Sequence, residues 1–149
     1  MNVNLYQWSP TLIAFSADPA HTTKSTSHHV LKLLSTTRVT HNLETTSNST
    51  FGPLYYVAGK NNDTGAHIFK AAVYNSTASV PVSLTFQGIK EGTKASLTVL
   101  TTNDPWAWNT VEKAGTDVVQ NNITTIQAGA GGVFRFTLPA VSVSLLKTL

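Results

Sequence analysis

The segment HIFKAAVYNSTASVPVSLTFQG, residues 67–88, decides the fold class of this chain. In its second half Val82, Leu84 and Phe86 alternate with Ser83 and Thr85, which is the period-two pattern of a strand with one buried face. An apolar run at residues 68–74 precedes it, and the polar residues NSTAS separate the two runs. The segment therefore predicts two antiparallel strands joined by a turn.

The same pattern recurs from about Tyr55 to the end of the given sequence. Near the C-terminus Val141, Val143 and Leu145 alternate with serines and are predicted to face inward. Further strands are predicted at residues 54–58, 95–100, 123–126 and 133–138, separated by the glycine- and asparagine-rich turns GKNNDTG, GIKEG and GAGG. Seven or so short strands at this spacing predict a mainly β fold, a β-sandwich of jelly-roll or immunoglobulin-like type.

The first forty residues follow a different pattern. TLIAF, residues 11–15, is typical of a short strand covered on both faces. A helix is predicted next, capped by Ser25, Thr26 or Ser27, with an apolar stripe of Val30, Leu31, Leu33 and Leu34 and with Lys32 and Arg38 near its C-terminal end. A strand followed by a helix is a unit of parallel sheets, and a single unit has no neighbouring strand to pair with. Residues 1–40 therefore look like the end of a larger α/β domain, and the polar residues 40–53 form a connector with room for one strand.

Composition excludes several classes of partner. The charged fraction is 11%, whereas ordinary soluble domains have about a quarter. The formal net charge is +3, and no basic cluster is interleaved with aromatic residues, which argues against a nucleic-acid partner. No apolar run approaches the roughly 20 residues that cross a bilayer, so no membrane span is predicted. The 149 residues suffice for one domain with its own core.

Four N-glycosylation sequons bear on whether the protein is extracellular. Asn48, Asn62, Asn75 and Asn122 each begin an Asn-x-Ser/Thr triplet and are candidate N-glycosylation sites of an extracellular protein. A chain this rich in asparagine, serine and threonine also forms such triplets by chance. There is no cysteine, which excludes disulfides and thiolate metal sites. The first ten residues, MNVNLYQWSP, lack the basic and apolar regions of a secretory signal, so secretion would require a signal upstream of Met1.

Five segments carry a resemblance to a known family. In order they are QWSPTLIAF, STSHHVLKLLSTTR, HIFKAAVYNSTASVPVSLTFQG, ASLTVLTTNDPWAWNTVE and FTLPAVSVSLLK. Together they resemble the C-terminal part of fungal α-L-arabinofuranosidases of glycoside hydrolase family 51, over nearly the whole chain. The sequence departs from the family at residues 8–11, Trp-Ser-Pro-Thr, where the family often has Trp-Asn-Pro-Asp. It also has His28 and His29 where the family has aromatic residues.

The resemblance implies a fold and an activity. Residues 1–40 would be the last strand-helix unit of a truncated (β/α)8 barrel, and residues 41–149 the C-terminal jelly-roll-type sandwich that packs against it. Family members are retaining hydrolases that release terminal L-arabinofuranose from arabinan or arabinoxylan without a cofactor. The implied partners are therefore the upstream (β/α)8 catalytic barrel and an arabinose-containing polysaccharide.

The same resemblance implies that catalysis lies outside this chain. Retaining glycosidases use two carboxyl groups about 5–5.5 Å apart. In the family both are glutamates on earlier barrel strands, so Glu44, Glu91 and Glu112 receive no catalytic role. We expect no hydrolysis by this chain alone.

Three tryptophans are candidate sugar contacts. Trp106 and Trp108 lie two residues apart in NDPWAWN, so in an extended backbone their rings would face the same way, as on a sugar-stacking surface. The alternative is that they pack onto the barrel or cap the sandwich. Trp8, near the first predicted strand, is the third candidate, with core packing as the alternative.

Other residues give weaker signals. Asp18 follows the first predicted strand, where the active-site face of a barrel would lie, although a loop aspartate is the simpler interpretation. The five histidines lie in separate segments or, for His28 and His29, on different faces of a helix, so no metal site is predicted. GAGG, residues 129–132, precedes a strand, which indicates a turn and not a phosphate-binding loop.

Two other functions remain open from the sequence. One is a free-standing carbohydrate-binding β-sandwich module, which requires Trp106 and Trp108 to be exposed. The other is a structural or adhesive secreted sandwich, which would bind no sugar. If the barrel is missing, residues 1 to about 40 would expose apolar surface and show little protection from hydrogen exchange.

Overall fold

A computed structural model describes residues 12–14, 17–110 and 117–149. Within them the chain forms ten strands and one α-helix, α1 (Thr26–Thr36). The strands are β1 (Ile13–Ala14), β2 (Thr23–Lys24), β3 (His41–Asn42), β4 (Leu54–Lys60), β5 (His67–Val73), β6 (Val80–Thr85), β7 (Lys94–Thr101), β8 (Gln120–Gln127), β9 (Val133–Leu138) and β10 (Ser142–Thr148). The prediction of a mainly β fold is confirmed, and the predicted connector carries one short strand, β3.

The strands form one large and two small sheets. The large sheet has the order β3-β4-β5-β10-β7-β8, and β6 pairs with β9 in a second sheet. All of these pairs are antiparallel. Strand β10, the last in the chain, therefore lies in the middle of the large sheet, between β5 and β7.

The core lies between the large sheet and the β6–β9 pair, as expected for a sandwich. Phe134 and Leu138 of β9 and Leu146 of β10 are fully buried there. Val82 and Phe86 belong to the same core, while Ser83 and Thr85 are exposed, so the alternation predicted for this strand is confirmed.

The inward face predicted for β10 is wrong. Ser144 and Leu146 point into the sandwich core, since they pair with Ala71 and Phe69 of the core. Val143 and Leu145 lie on the opposite, outer face of the large sheet. Alternation failed as a guide because the serine face of β10 is the one that faces the core: Ser144 is buried and its Oγ donates to the Ala71 carbonyl oxygen at 3.5 Å, while Leu145 is buried on the outer face.

The sequence prediction for α1 is correct at its start and only partly correct along its length. Ser25 is the N-cap, and its Oγ accepts a hydrogen bond from the His28 N–H at 3.2 Å. Val30, Leu33 and Leu34 are partly buried, but Leu31 is 50% exposed. A residue one position after Val30 lies about 100° around the helix, so Leu31 falls outside the stripe.

Helix α1 packs on the outer face of the large sheet. It contacts β10, and the Lys70 Nζ of β5 donates a hydrogen bond of 2.6 Å to the Leu34 carbonyl oxygen. Lys32 and Arg38 were predicted near the C-terminal end of the helix, but Lys70 is the cation that reaches the carbonyl groups of the last turn. A face of the large sheet therefore supports the helix of the N-terminal unit.

The first strand also has a partner. Strand β1 pairs with β2 in an antiparallel hairpin, and the Ser25 N–H donates to the Leu12 carbonyl oxygen at 2.9 Å. The expectation of an unpaired strand was therefore wrong. Leu12 is 41% exposed, so the segment is not covered on both faces in this chain. Residues 11 and 15, the ends of the predicted strand, lie outside the described residues.

Candidate functional site

The two central candidates, Trp106 and Trp108, lie in a loop between β7 and β8. We call residues 102–110 the tryptophan loop. Trp106 is 88% exposed and Trp108 is 64% exposed. Neither caps the sandwich, so in this chain both indoles are available to a partner or a ligand.

Asp104 gives the first half of the tryptophan loop its shape. Its Oδ1 accepts a hydrogen bond from the Trp106 N–H at 2.9 Å, and its carbonyl oxygen accepts one from the Ala107 N–H at 3.0 Å. These contacts make a turn around Pro105, as aspartate commonly does. The extended backbone on which the expectation of same-facing rings depended is therefore absent at Trp106.

Asn109 fixes the second half of the loop. Its Nδ2 donates to the Lys24 carbonyl oxygen and to Asp117 Oδ1, both at 2.9 Å. Its Oδ1 accepts from the Val118 N–H at 2.8 Å. One side chain thus joins the tryptophan loop to β2 and to the residues before β8.

Two further contacts lie beside Asn109. The Thr23 Oγ1 is 3.4 Å from the Thr110 carbonyl oxygen. His29 Nε2 of α1 lies 2.9 Å from Asp117 Oδ2, although it makes no aligned hydrogen bond to a described residue. Sequence reasoning missed the whole anchor, because its contacts join residues as far apart in the chain as Thr23 and Thr110, which are 87 positions apart, and no local motif links them.

An apolar groove of about 250 Å³ lies between α1 and the outer face of the large sheet. Its lining residues are Thr26, Val30, Ala72, Val73, Tyr74, Leu100, Thr101, Thr102, Val119, Val141, Ser142 and Val143. Tyr74 is the only ionisable group among them. The groove therefore offers no pair of carboxyl groups for glycoside hydrolysis.

The acidic candidates stand apart from one another. Asp18 begins a 3₁₀ turn at Pro19–His21, where its Oδ1 accepts from the Ala20 N–H at 2.9 Å, and it lies 3.4 Å from His21 Nδ1. Its capping role supports the interpretation as a loop aspartate. Glu44 follows β3 and Glu91 lies in the turn before β7, both exposed. Glu112 and Trp8 lie outside the described residues.

The described histidines lie in separate elements, except for His28 and His29, which are adjacent in α1. Over residues 12–14, 17–110 and 117–149 no three His, Cys, Asp or Glu side chains come close enough to bind one metal ion. The rings of His28 and His29 pack edge to face at 5.7 Å.

His67 lies against Phe86, and burial, followed by the charge of Lys60, lowers the pKa of its imidazole. Burial also lowers the pKa of the Lys70 ammonium under α1.

All four sequon asparagines are exposed. Asn62 is the most constrained, since its Nδ2 lies 2.9 Å from His41 Nδ1 and its main-chain N–H donates to Thr40 Oγ1. Asn75 has a positive φ of 55° in the turn after β5. In the described part of the chain no helix has the length and hydropathy of a membrane span.

Comparison with known proteins gives a consistent family signal. The family model for the α-L-arabinofuranosidase C-terminal domain matches residues 2–142. The probable α-L-arabinofuranosidase A of Aspergillus terreus is 37% identical over 144 residues, and the α-L-arabinofuranosidase A of Aspergillus kawachii is 39% identical over 145. Each alignment covers 97% of this chain and 21% of the relative, so the chain spans about a fifth of the length of these curated relatives.

Solved structures agree with the sequence relatives. An arabinose-bound structure of the MgGH51 α-L-arabinofuranosidase is similar with a TM-score of 0.79 and 25% identity. It covers 98% of this chain and 22% of that chain. The GH51 arabinofuranosidase of Xanthomonas axonopodis pv. citri, at 19% identity, has a TM-score of 0.69 over 93% of this chain and 28% of its own, and supports the fold alone.

Proposed function

Because this chain belongs to the family of α-L-arabinofuranosidase C-terminal domains, we propose that it serves an enzyme that removes terminal, non-reducing α-L-arabinofuranosyl residues from arabinan or arabinoxylan. One observation carries this proposal. The chain aligns over nearly its whole length with relatives named for that activity, yet covers only 21% of each. The proposal therefore requires that the catalytic residues lie in a part of the full-length enzyme that corresponds to the other four-fifths of these relatives.

The proposal makes this chain inactive on its own. Retaining hydrolysis needs two carboxyl groups about 5–5.5 Å apart in one cleft. The described glutamates, Glu44 and Glu91, are exposed in separate loops, and the groove beside α1 is lined by neutral groups. The partner is therefore an upstream (β/α)8 catalytic barrel, and the substrate is an arabinose-containing polysaccharide.

We assign residues 1–40 to the last strand-helix unit of that barrel and residues 41–149 to a jelly-roll-type sandwich. Support comes from the chain order of β1 and α1 and from the fit of the MgGH51 structure over 98% of the chain. The packing of α1 on the large sheet would then be part of the contact between barrel and sandwich.

Secretion and N-glycosylation complete the proposal. The exposure of Asn48, Asn62, Asn75 and Asn122 supports it, since an oligosaccharide can be attached only to an accessible asparagine.

The first test is the mass of the native polypeptide after enzymatic deglycosylation, detected with an antibody against the sandwich. A barrel adds about 250 residues, so we expect a species far above the 16.0 kDa of this chain. A native species at 16.0 kDa would contradict the proposal. So would turnover of an aryl arabinofuranoside by the purified 149-residue chain that is lost when Glu44, Glu91 or Glu112 is replaced.

The exposure of Trp106 and Trp108 favours a second candidate, a free-standing carbohydrate-binding module. It predicts that the purified chain binds arabinan or arabinoxylan in affinity electrophoresis and that Trp106→Ala with Trp108→Ala abolishes binding. Phe51→Ala is the matched control, since Phe51 is 89% exposed and precedes β4, which is separated from β7 by two strands of the large sheet. Absence of retardation of the unmodified chain would exclude the module.

A further inference from the structure

The tryptophan loop is fastened to the segment that joins β1 to α1. Asn109 donates to the Lys24 carbonyl oxygen at 2.9 Å, and Thr110 lies against Thr23. Asp117 reaches His29, one turn into the helix. Every one of these contacts is at the N-terminal end of α1.

In a (β/α)8 barrel, the N-terminal ends of the helices lie on the face that carries the active site. Each barrel strand is followed by a loop and then by a helix that runs back, and the active site is built from the loops after the strands. If residues 1–40 are the last strand-helix unit, as the proposed function holds, residues 17–25 are such a loop. The N-terminal end of α1 then marks the catalytic face of the barrel.

A loop of the sandwich therefore reaches the catalytic face. The sandwich packs beside the helix, but its β7–β8 connection bends toward β2 and is held there by Asn109. The fit of MgGH51 over 98% of this chain indicates that an intact α-L-arabinofuranosidase keeps the N-terminal unit and the sandwich in a similar relation.

We infer that Trp106 and Trp108 bind the polysaccharide beyond the scissile bond, as an accessory part of the catalytic cleft. Both indoles are exposed, and an indole face packs against the C–H groups of a neutral furanose or pyranose ring. An enzyme that removes terminal residues must leave room for the rest of the polymer outside its catalytic pocket. Aromatic side chains at the rim of that pocket would hold the polymer without touching the reacting atoms.

This placement separates the inference from a remote binding module. A remote module lowers the KM only for long polymers, whereas residues beside the cleft also lower the KM for an arabino-oligosaccharide that extends a few residues past the scissile bond. The placement also predicts that the effect of the tryptophans depends on the size of the substrate. A polymer extends past the scissile bond, but an aryl arabinofuranoside is too short to contact the tryptophan loop.

The test uses the full-length enzyme that carries this chain, with Trp106→Ala, Trp108→Ala and the double variant. We expect each single change to raise KM for arabinan or arabinoxylan by about two- to tenfold, the range expected for one aromatic contact. The value of kcat on the polymer and both constants on the aryl arabinofuranoside should stay within about twofold, since no reacting group changes. Trp106→Phe and Trp108→Phe should restore much of the polymer affinity.

Two controls make the result specific. Phe51→Ala removes an aromatic ring as exposed as Trp106 that precedes β4, outside the tryptophan loop, and should leave the KM for both substrates unchanged. Asn109→Ala releases the loop while keeping both indoles, and should raise KM for the polymer alone. Thermal unfolding of each variant checks that the fold is intact.

The outcomes are distinguishable. An unchanged polymer KM in the double variant, or equal losses on polymer and aryl substrate, would overturn this inference while leaving the proposed function intact. Absence of aryl arabinofuranoside hydrolysis by the unmodified full-length enzyme would instead reject the proposed function.

Discussion

The Lys70 Nζ donates a hydrogen bond of 2.6 Å to the main-chain carbonyl oxygen of Leu34, which joins β5 to the last turn of α1. Carbonyl groups in the last turn of a helix have no partner within the helix and carry a partial negative charge. The lysine supplies both a donor and a positive charge. The N-terminal helix is therefore held on the sandwich by a specific polar contact as well as by its apolar stripe.

Replacing Lys70 should weaken the docking of α1. Lys70→Met keeps an unbranched apolar side chain but removes the donor, and we expect a loss of about 1 to 3 kcal/mol in the free energy of unfolding, as for a hydrogen bond to a charged group. Hydrogen exchange of the α1 amides should accelerate more than that of the sheet. Lys32→Met, on the exposed side of α1, is the control. Equal exchange rates for α1 in the two variants would show that the contact does not hold the helix.

Removing the Asn109 side chain should free the tryptophan loop. Asn109→Ala deletes three hydrogen bonds and leaves the Val118 N–H and the Lys24 carbonyl without that partner. We expect about 1 to 3 kcal/mol of destabilisation in a urea titration. Asn121→Ala, at an exposed position of β8, should change the free energy by less than about 0.5 kcal/mol. Similar midpoints for both variants would contradict the anchoring role.

Stability should fall in mild acid because of His67. Burial, and then the neighbouring charge of Lys60, lowers the pKa of this imidazole in the folded chain below its ordinary value of about 6.5. The unfolded chain therefore binds the proton more readily. The stabilisation is fully present above about pH 6.5 and is lost as the pH falls through the folded-state pKa.

Two substitutions test this pH dependence. His67→Gln removes the titrating group, and Lys60→Gln removes the repulsion from the residue paired with it across the sheet. Both should flatten the fall of the unfolding midpoint between pH 6.5 and pH 5, measured by chemical denaturation. Lys90→Gln, in an exposed turn, should retain the slope of the unmodified chain. A slope unaffected by His67→Gln would assign the effect to other groups.

Gly132 should tolerate no side chain. Its φ is +74°, and an added Cβ would collide with the main-chain oxygen of Ile89. We expect Gly132→Ala to cost more than about 3 kcal/mol, since backbone strain and overpacking add together. Gly65 has nearly the same φ, +73°, but nothing within 4 Å of its Cβ position, so Gly65→Ala should cost only about 1 kcal/mol. Equal losses in thermal unfolding would exclude the steric contribution.

Much of the sandwich could be predicted from the sequence. Strands β4 to β9 lie close to the predicted runs, and Val82 and Phe86 face the core as their alternation indicates. Period two is a local property, visible wherever one face of a strand is apolar and the other is polar. The helix cap was likewise limited to Ser25, Thr26 or Ser27 from the sequence, and the structure selects Ser25.

The candidate site was only half predictable. The sequence identified Trp106 and Trp108 as exposed candidates, because two indoles in a polar, proline-containing segment stand out. It did not reveal the turn that Asp104 imposes at Trp106, nor the anchor formed by Asn109, Lys24 and Asp117. The contacts of Asn109 join segments that are far apart in the sequence, so they can be read only from the folded chain.

The sequence by itself indicated the family and most of the sandwich strands, and limited the cap of α1 to three neighbouring residues, since these follow from order, spacing and local periodicity. Tertiary structure alone decided which way β10 faces, because Ser144 is buried on the core face and Leu145 on the outer face, contrary to what the alternation of apolar residues and serines predicts. It also decided that β1 pairs with β2 and that α1 docks on the large sheet through Lys70. The physical reason is common to all three: the free energy of these contacts comes from residues far apart in the chain, which no local pattern brings together.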